Sequence, residues 1–219
     1  MRIYDRQGTP NAARVRIVVA EKGLEDRVTY QLVDLGAAEQ KQDWFLAMNP
    51  TGKTPVLELE DGFVLSESVA ITEYFVNLDG NPVLTARTPR EKGLIHMMHR
   101  RAEIMLLDPI DDYFHYGTRG LGEALVPWRM PDWGEGKQQW GARRGALAAG
   151  NMAYFDGVLR ERPFLAGEAY SLADITLYAA MIFGSAIGLP DVPQLGALAD
   201  WQARMEALPA VRDRSGQGF

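Results

Sequence analysis

The segment from Asn49 to Phe75, NPTGKTPVLELEDGFVLSESVAITEYF, limits the fold more than any other part of the chain. Two apolar runs of strand length, Pro55 to Leu59 and Phe63 to Leu65, flank Glu60-Asp61-Gly62. An acidic residue followed by Gly between short β-rich runs is a hairpin signal. Ser66 then precedes a stretch with helical spacing that runs to about Leu78, with the hydroxyl as its cap. A β-β-α unit is therefore expected here.

The residues before it supply the other half of a small α/β domain. Arg2 to Asp5 reads as a strand. Thr9-Pro10 opens a helix, because Thr caps well and Pro is favoured at the first helical position. Val15, Val18, Val19 and Leu24 give that helix an apolar face, and Gly23 closes it. Val28 to Val33 is a second strand, and Glu39 to Met48 a short helix. The order β-α-β-α-β-β-α over residues 1–80 is that of a thioredoxin-like domain. Residues 81–87 read as a linker and 88–219 as an all-helical domain. Two capping boxes mark helix starts in that domain, Thr88 with Glu91 and Ser171 with Asp174. Pro109 is expected to kink or interrupt the first of these helices. Further helices are expected over Lys137 to Leu159 and Gln194 to Leu208, with Gly117 to Gly136 as a loop.

Composition narrows the class. A net charge of -6 argues against a nucleic-acid partner or an anionic membrane surface. No run approaches the roughly 20 apolar residues a membrane span needs. The chain has no cysteine, which excludes disulfides, thiolate metal sites and an enzyme-borne thiol nucleophile. With strand residues beginning at Arg2, no removable leader is expected, and a cytoplasmic location fits. His96, His99 and Glu103 share one helix face at a spacing that suits a metal, but an amphipathic face explains it as well, so no metal is expected.

Four stretches carry a family resemblance: TPNAARVRIVVAEKGL, NPTGKTPVL, LSESVAI and FLAGEAYSLADITLY. Over about residues 1–215 the chain resembles the cytosolic glutathione transferases, and the Thr-Pro-Asn opening is most similar to bacterial and fungal members that use threonine and asparagine around the sulfur. The resemblance implies a thioredoxin-like domain followed by an all-helical one. It implies glutathione as substrate, with no metal, bound on the first domain, and a small hydrophobic electrophile held between the two. It also implies a homodimer.

The residues fit that ligand. The γ-glutamyl end carries an ammonium and a carboxylate. Glu67 and Ser68, in the first turn of a helix, offer an anion, a hydroxyl and free N–H groups, although both residue types are ordinary there. Thr54-Pro55 suits the extended middle. Pro55 either starts an edge strand in trans or makes a cis bond that turns the preceding backbone outward, and the resemblance implies the cis form. For the far carboxylate the candidates are Lys53 first, then Gln40 and Lys41. Thr9 and Asn11 suit the thiol. Lowering a thiol pKa of about 8.5 by about two units takes roughly 2.7 kcal/mol. One hydrogen bond to the anion contributes about 1.5–3 kcal/mol and a helix N-terminus about 0.3–1, so one donor plus the dipole suffices. Thr9 can cap its helix and donate to sulfur at once. Tyr113, Phe114, His115 and Tyr116 either line an electrophile pocket or pack as core, with Trp128, Met130 and Trp133 as its cover.

The expected activity is transfer of glutathione to an electrophile. The alternatives are glutathione-dependent reduction of peroxides or disulfides, and a non-catalytic binding module.

Overall fold

The computed structural model describes residues 1–122, 125, 134–190 and 192–212. The chain divides into two compact units. The first is built on Met1–Asn81; the second comprises Pro82–Gly120 and the helices between Glu135 and Leu208. Among the described residues, no helix is long and apolar enough to cross a membrane.

The first unit holds a four-stranded sheet of order β2-β1-β3-β4, from Arg2–Asp5 (β1), Thr29–Leu32 (β2), Val56–Glu58 (β3) and Val64–Ser66 (β4). β1 pairs parallel with β2 and antiparallel with β3, and β3 pairs antiparallel with β4. This is the thioredoxin-like arrangement. Helices Pro10–Glu21 (α1) and Ser68–Asn77 (α3) pack together, with Val15, Val18, Ile71 and Phe75 fully buried. A second cluster joins Tyr4, Val33, Leu35, Phe45 and Val56, the Phe coming from Asp43–Met48 (α2). The expected helix over Glu39 to Met48 is in fact a 3-10 turn, Glu39–Lys41, followed by α2. Asp5 and Arg16 form a buried bidentate ion pair, with Nε to Oδ2 at 2.8 Å and Nη2 to Oδ1 at 3.0 Å.

Two expected caps are not made. Thr9 stands at the N-cap of α1, but its side chain accepts no backbone N–H; its hydroxyl donates to the Arg6 carbonyl at 2.9 Å instead. Ser66 does not cap α3 either, because it is the last residue of β4 and pairs with Val56. The strand runs further than the sequence suggested, and Glu67 makes the turn into the helix with φ 68° and ψ 117°. A left-handed φ at a non-glycine costs about 1–3 kcal/mol, and such residues cluster at binding sites.

In the second unit, Pro89–Ala102 (α4) starts on a complete capping box: Thr88 Oγ1 accepts from Glu91 N at 3.3 Å, and Glu91 Oε2 accepts from Thr88 N at 3.4 Å. The helical path continues through a π turn (Glu103–Leu107), Asp108–Asp112 (α5) and a second π turn (Tyr113–Gly117). The first π turn follows from Pro109. Pro has no N–H for the Met105 carbonyl four residues back, and its ring crowds that carbonyl. The helix widens there, with Asp108 N donating to Glu103 O. The Met105 carbonyl is satisfied from outside, by Asn151 Nδ2 at 2.7 Å.

Asn151 lies on Glu135–Leu159 (α6), which carries five glycines at 136, 141, 145, 150 and 157. Two are required by packing. A Cβ on Gly141 would run into Gly117 N and stand 2.6 Å from Tyr116 C. A Cβ on Gly145 would stand 2.8 Å from the Tyr113 ring. Leu172–Ala186 (α7) is buried throughout its first nine residues, Asp174 and Thr176 included. Its buried Asp174 accepts from Leu165 N at 2.8 Å, Ser171 N at 3.0 Å and Trp201 Nε1 at 3.0 Å, tying α7 to Gly196–Ala207 (α8). Asp156 on α6 accepts from Leu198 N at 3.1 Å in the first turn of α8. The last described helix, Pro209–Arg212 (α9), belongs to the first unit and packs on α1.

Candidate functional site

The N-termini of α1 and α3 meet at three side chains. Ser68 Oγ donates to Asn11 Oδ1 at 3.1 Å, and Arg14 Nη1 donates to the same oxygen at 3.1 Å. Arginine has no acceptor, so the Asn11 atom facing it is the carbonyl oxygen, and the amide NH2 is the other end of the group. That NH2 has no partner among the described residues. Ser68 and Arg14 are buried, while Thr9 and Asn11 are partly exposed and Glu67 is exposed. Thr9 and Asn11 therefore differ. The hydroxyl is occupied by the Arg6 carbonyl, whereas the amide is available. Unpaired backbone N–H groups at two helix starts give this mouth a positive potential.

A second cluster is built on the loop before β3. Asn49 is buried and closes that loop, its Nδ2 donating to Lys53 O at 2.8 Å and its Oδ1 accepting from Thr51 N at 3.1 Å and Thr51 Oγ1 at 2.9 Å. Gly52 takes φ 59°, and a Cβ there would stand 2.7 Å from Lys41 Nζ and 2.9 Å from Gln40 O. The residue must be glycine for the loop to close on the lysine. Lys41 Nζ reaches Thr51 O at 3.4 Å. Burial, and then the neighbouring Lys53 charge, lower the Lys41 pKa from its ordinary value. Neither lysine has an acidic partner among the described residues. Gln40 is buried, with its Oε1 unpaired. The Thr54–Pro55 bond is cis, and the Thr54 backbone N–H and C=O have no partner among the described residues.

The residues expected to contact an electrophile lie elsewhere in the chain. Tyr113 and Tyr116 belong to the second π turn. The Tyr113 ring sits against Gly117 and Gly145, in a notch only glycines leave. Tyr116 meets Trp140 edge-on at 5.2 Å, with Lys137 Nζ 5.6 Å from its ring. Phe114 is half-buried and packs edge-on against Phe183 at 5.2 Å. Trp128, Met130 and Trp133 lie outside the described residues.

Residues 9–78 match the glutathione S-transferase N-terminal domain, and residues 135–209 match the glutathione S-transferase C-terminal domain. Glutathione S-transferase 2 of Saccharomyces cerevisiae is 45% identical over 212 residues, spanning 97% of this chain and 88% of the relative. The chain belongs to the glutathione S-transferase family. The crystal structure of Gtt2 from Saccharomyces cerevisiae superposes with a TM-score of 0.90 at 46% identity, covering 98% of this chain and 100% of that one. A glutathione S-transferase domain-containing protein of Marinobacter aquaeolei superposes with a TM-score of 0.87 at 41% identity, covering 96% of this chain and 100% of that one. A maleylacetoacetate isomerase of Pseudomonas aeruginosa is 27% identical, spanning 97% of this chain and 94% of the relative.

In this transferase fold two of the three histidine-face residues, His99 and Glu103, pair with each other. His99 is buried with Nε2 3.6 Å from Glu103 Oε1, and Glu103 also meets Arg100 Nη1 at 3.3 Å. No group of His, Cys, Asp and Glu among the described residues is arranged to hold a metal ion. Sequence reasoning missed two members of the polar clusters. Arg14 stands three residues after Asn11 on one helix, so their contact was open to inference from spacing. Asn49 opens an Asn-Pro-Thr-Gly run, a signature of side-chain-closed turns.

Proposed function

We infer that this chain is an enzyme that binds glutathione on its first domain, ionises the thiol, and transfers the sulfur to a small hydrophobic electrophile. The observation that carries the reading is the Ser68–Asn11 hydrogen bond at 3.1 Å, which joins two helix N-termini into one anion-attracting mouth. Glutathione brings two carboxylates, a thiolate and one ammonium. Ser68 and the α3 N-terminus take the γ-glutamyl carboxylate, and Glu67 the ammonium. The unpaired Thr54 backbone groups take the peptide as an added strand. Lys53 and Lys41 take the far carboxylate, and the buried Gln40 oxygen takes an N–H near it.

Asn11 Nδ2 is the readier donor to the sulfur, because the Thr9 hydroxyl must first rotate off the Arg6 carbonyl. The thiol proton leaves to water, the thiolate attacks the electrophilic carbon, and a carbon–sulfur bond forms as the leaving group departs or the double bond accepts the pair. The helical domain supplies Tyr113 and Tyr116 to the electrophile, and Trp128, outside the described residues, is assigned to the same role. The enzyme works in the cytoplasm as a homodimer and removes reactive compounds, without a metal, a membrane or a nucleic acid.

Incubation with glutathione and an activated chloronitrobenzene tests the reading. Formation of the thioether adduct supports it. Glutathione disulfide formed from an organic peroxide, with no adduct from any electrophile, would replace it by the reductase reading. Failure to bind glutathione at millimolar concentration would favour the binding-module reading.

A further inference from the structure

We propose that Arg14 is a positioning residue for the thiolate: it holds the Asn11 carbonyl oxygen so that the amide NH2 is presented to sulfur, and keeps it there once substrate has claimed the Ser68 hydroxyl. This rests on the reading that glutathione binds at the mouth of α1 and α3.

The argument is one of counting protons. Asn11 Oδ1 is held by two donors, Arg14 Nη1 and Ser68 Oγ, each at 3.1 Å. Ser68 has a single hydroxyl proton. When a γ-glutamyl carboxylate arrives, a charge-assisted bond to it is stronger than the neutral bond to Asn11, so the proton turns to the carboxylate. Asn11 Oδ1 then keeps one holder. Without Arg14 the amide is free to rotate, and its O and N ends compete for the sulfur. An oxygen facing a thiolate repels it. With Arg14 in place that end is closed to sulfur, because arginine only donates and must face the oxygen.

The guanidinium adds a second effect through the same contact. Its charge lies on the carbonyl side of the amide, drawing electron density from the N–H bonds and making them better donors. Arg14 is only 3% exposed, so water screens that charge poorly. Thr9 cannot take over this task without giving up the Arg6 carbonyl at 2.9 Å. Arg14 touches no reacting atom in this scheme; it acts through Asn11.

The experiment is a pH titration of enzyme-bound glutathione, following thiolate absorbance near ~240 nm, with affinity measured in parallel by calorimetry. In the parent enzyme the bound thiol titrates well below the free value of about 8.5. Arg14→Met raises that midpoint by about a unit or more while the glutathione affinity changes less than about threefold, and Arg14→Lys restores part of the shift. Asn11→Asp keeps both accepted bonds and loses only the NH2, so it folds and raises the midpoint to the free value or above. Ser68→Ala lowers affinity and leaves the midpoint nearly in place, because Arg14 still holds Asn11.

If Arg14→Met binds glutathione and titrates like the parent, the proposal is overturned. Should Arg14→Met not fold, Asn11→Asp decides: an unshifted midpoint in that variant overturns the proposal equally. A parent enzyme that binds no glutathione refutes the underlying function, an outcome separate from either.

Discussion

Alanine substitution at two glycines of α6 should have opposite signs, and the structure sets the size of the difference. Gly150 is exposed, and an added methyl there meets nothing within 4 Å. Alanine at such a helical position stabilises by about 0.5–1 kcal/mol, because it narrows the unfolded ensemble and favours the helix. Gly141 gains the same helical preference. Its methyl, however, would collide with Gly117 N and lie 2.6 Å from Tyr116 C, both backbone atoms. Ordinary contact is about 3.5–4.0 Å, so the two segments must part by about 1 Å. Overpacking of this kind costs about 1–3 kcal/mol, occasionally more, and backbone cannot rotate out of the way as a side chain can. The net effect at Gly141 is destabilisation by up to about 2.5 kcal/mol, and because both variants share the helical gain they should differ by the clash itself, about 1–3 kcal/mol. Urea unfolding followed by far-ultraviolet circular dichroism reads this directly as two midpoints on either side of the parent. Equal midpoints for the two variants would refute the claim that the π turn at Tyr113–Gly117 rests directly on α6. The test bears on function as well, because Gly145 and Gly117 seat Tyr113, so parting these segments moves a residue assigned to the electrophile.

The remaining predictions concern the polar clusters and one buried carboxylate. Asn11→Ala should lower turnover more than Thr9→Ala, and neither should change the calorimetric affinity for glutathione by much; equal losses would show that the Thr9 hydroxyl leaves Arg6 at no cost. Glu67→Ala removes the partner of the ammonium and should weaken glutathione binding about tenfold or more, in line with about 1.5–3 kcal/mol for a charged hydrogen bond; unchanged affinity takes Glu67 out of the site. Lys41→Met with Lys53→Met should weaken glutathione by a similar factor and flatten the salt dependence of binding, whereas an unaffected double variant would move the far carboxylate elsewhere. Leu198 N–H first, with help from Arg160, holds the Asp156 carboxyl below its ordinary 3.8 against the effect of burial. A depressed folded value means that the stability from Asp156 is present above about pH 4 and is lost as pH falls through the folded pKa. Unfolding midpoints taken at descending pH should therefore fall more steeply for the parent than for Asp156→Asn, and parallel curves would contradict this.

What the sequence disclosed and what it hid divide by distance along the chain. The Thr88–Glu91 box and the β3–β4 hairpin depend on neighbours within a turn or a strand, and local chemistry determines them. Pro109 announced an interruption because the defect lies in its own missing N–H. The repair, Asn151 reaching Met105 from 46 residues away, could not be read. Nor could the meeting of Ser68 with Asn11 across 57 residues. Both residues were singled out, but for separate ends of the ligand, and only folding revealed that they share a hydrogen bond. Thr9 failed as a cap for a similar reason. The turn from Arg6 brings a carbonyl to 2.9 Å from its hydroxyl, and that geometry belongs to the glycine at position 8, with φ 79°, rather than to the Thr-Pro pair.

These positions share one physical pattern. Ser68 and Thr9 spend their hydroxyl protons on internal acceptors and Lys41 reaches Thr51 O, while among the described residues the Asn11 NH2, the Lys53 ammonium and the Thr54 backbone stay unspent. Groups of the first kind exchange one hydrogen bond for another when a ligand arrives, so they add selectivity for charge more than affinity. Groups of the second kind give up only water, so on the proposed reading Lys53 and the Thr54 backbone should contribute most to affinity, and the Asn11 NH2 to turnover. The unspent donors fall where the proposed ligand is anionic or extended, and the strained Glu67 turn falls where it is cationic. A chain of net charge -6 has little reason to crowd Lys41 and Lys53 together without an acid between them unless an anion completes the group. The same sorting ranks the variants: loss of an unspent donor should reduce affinity or turnover outright, whereas loss of a spent hydroxyl should cost less, because that hydroxyl only exchanges one acceptor for another.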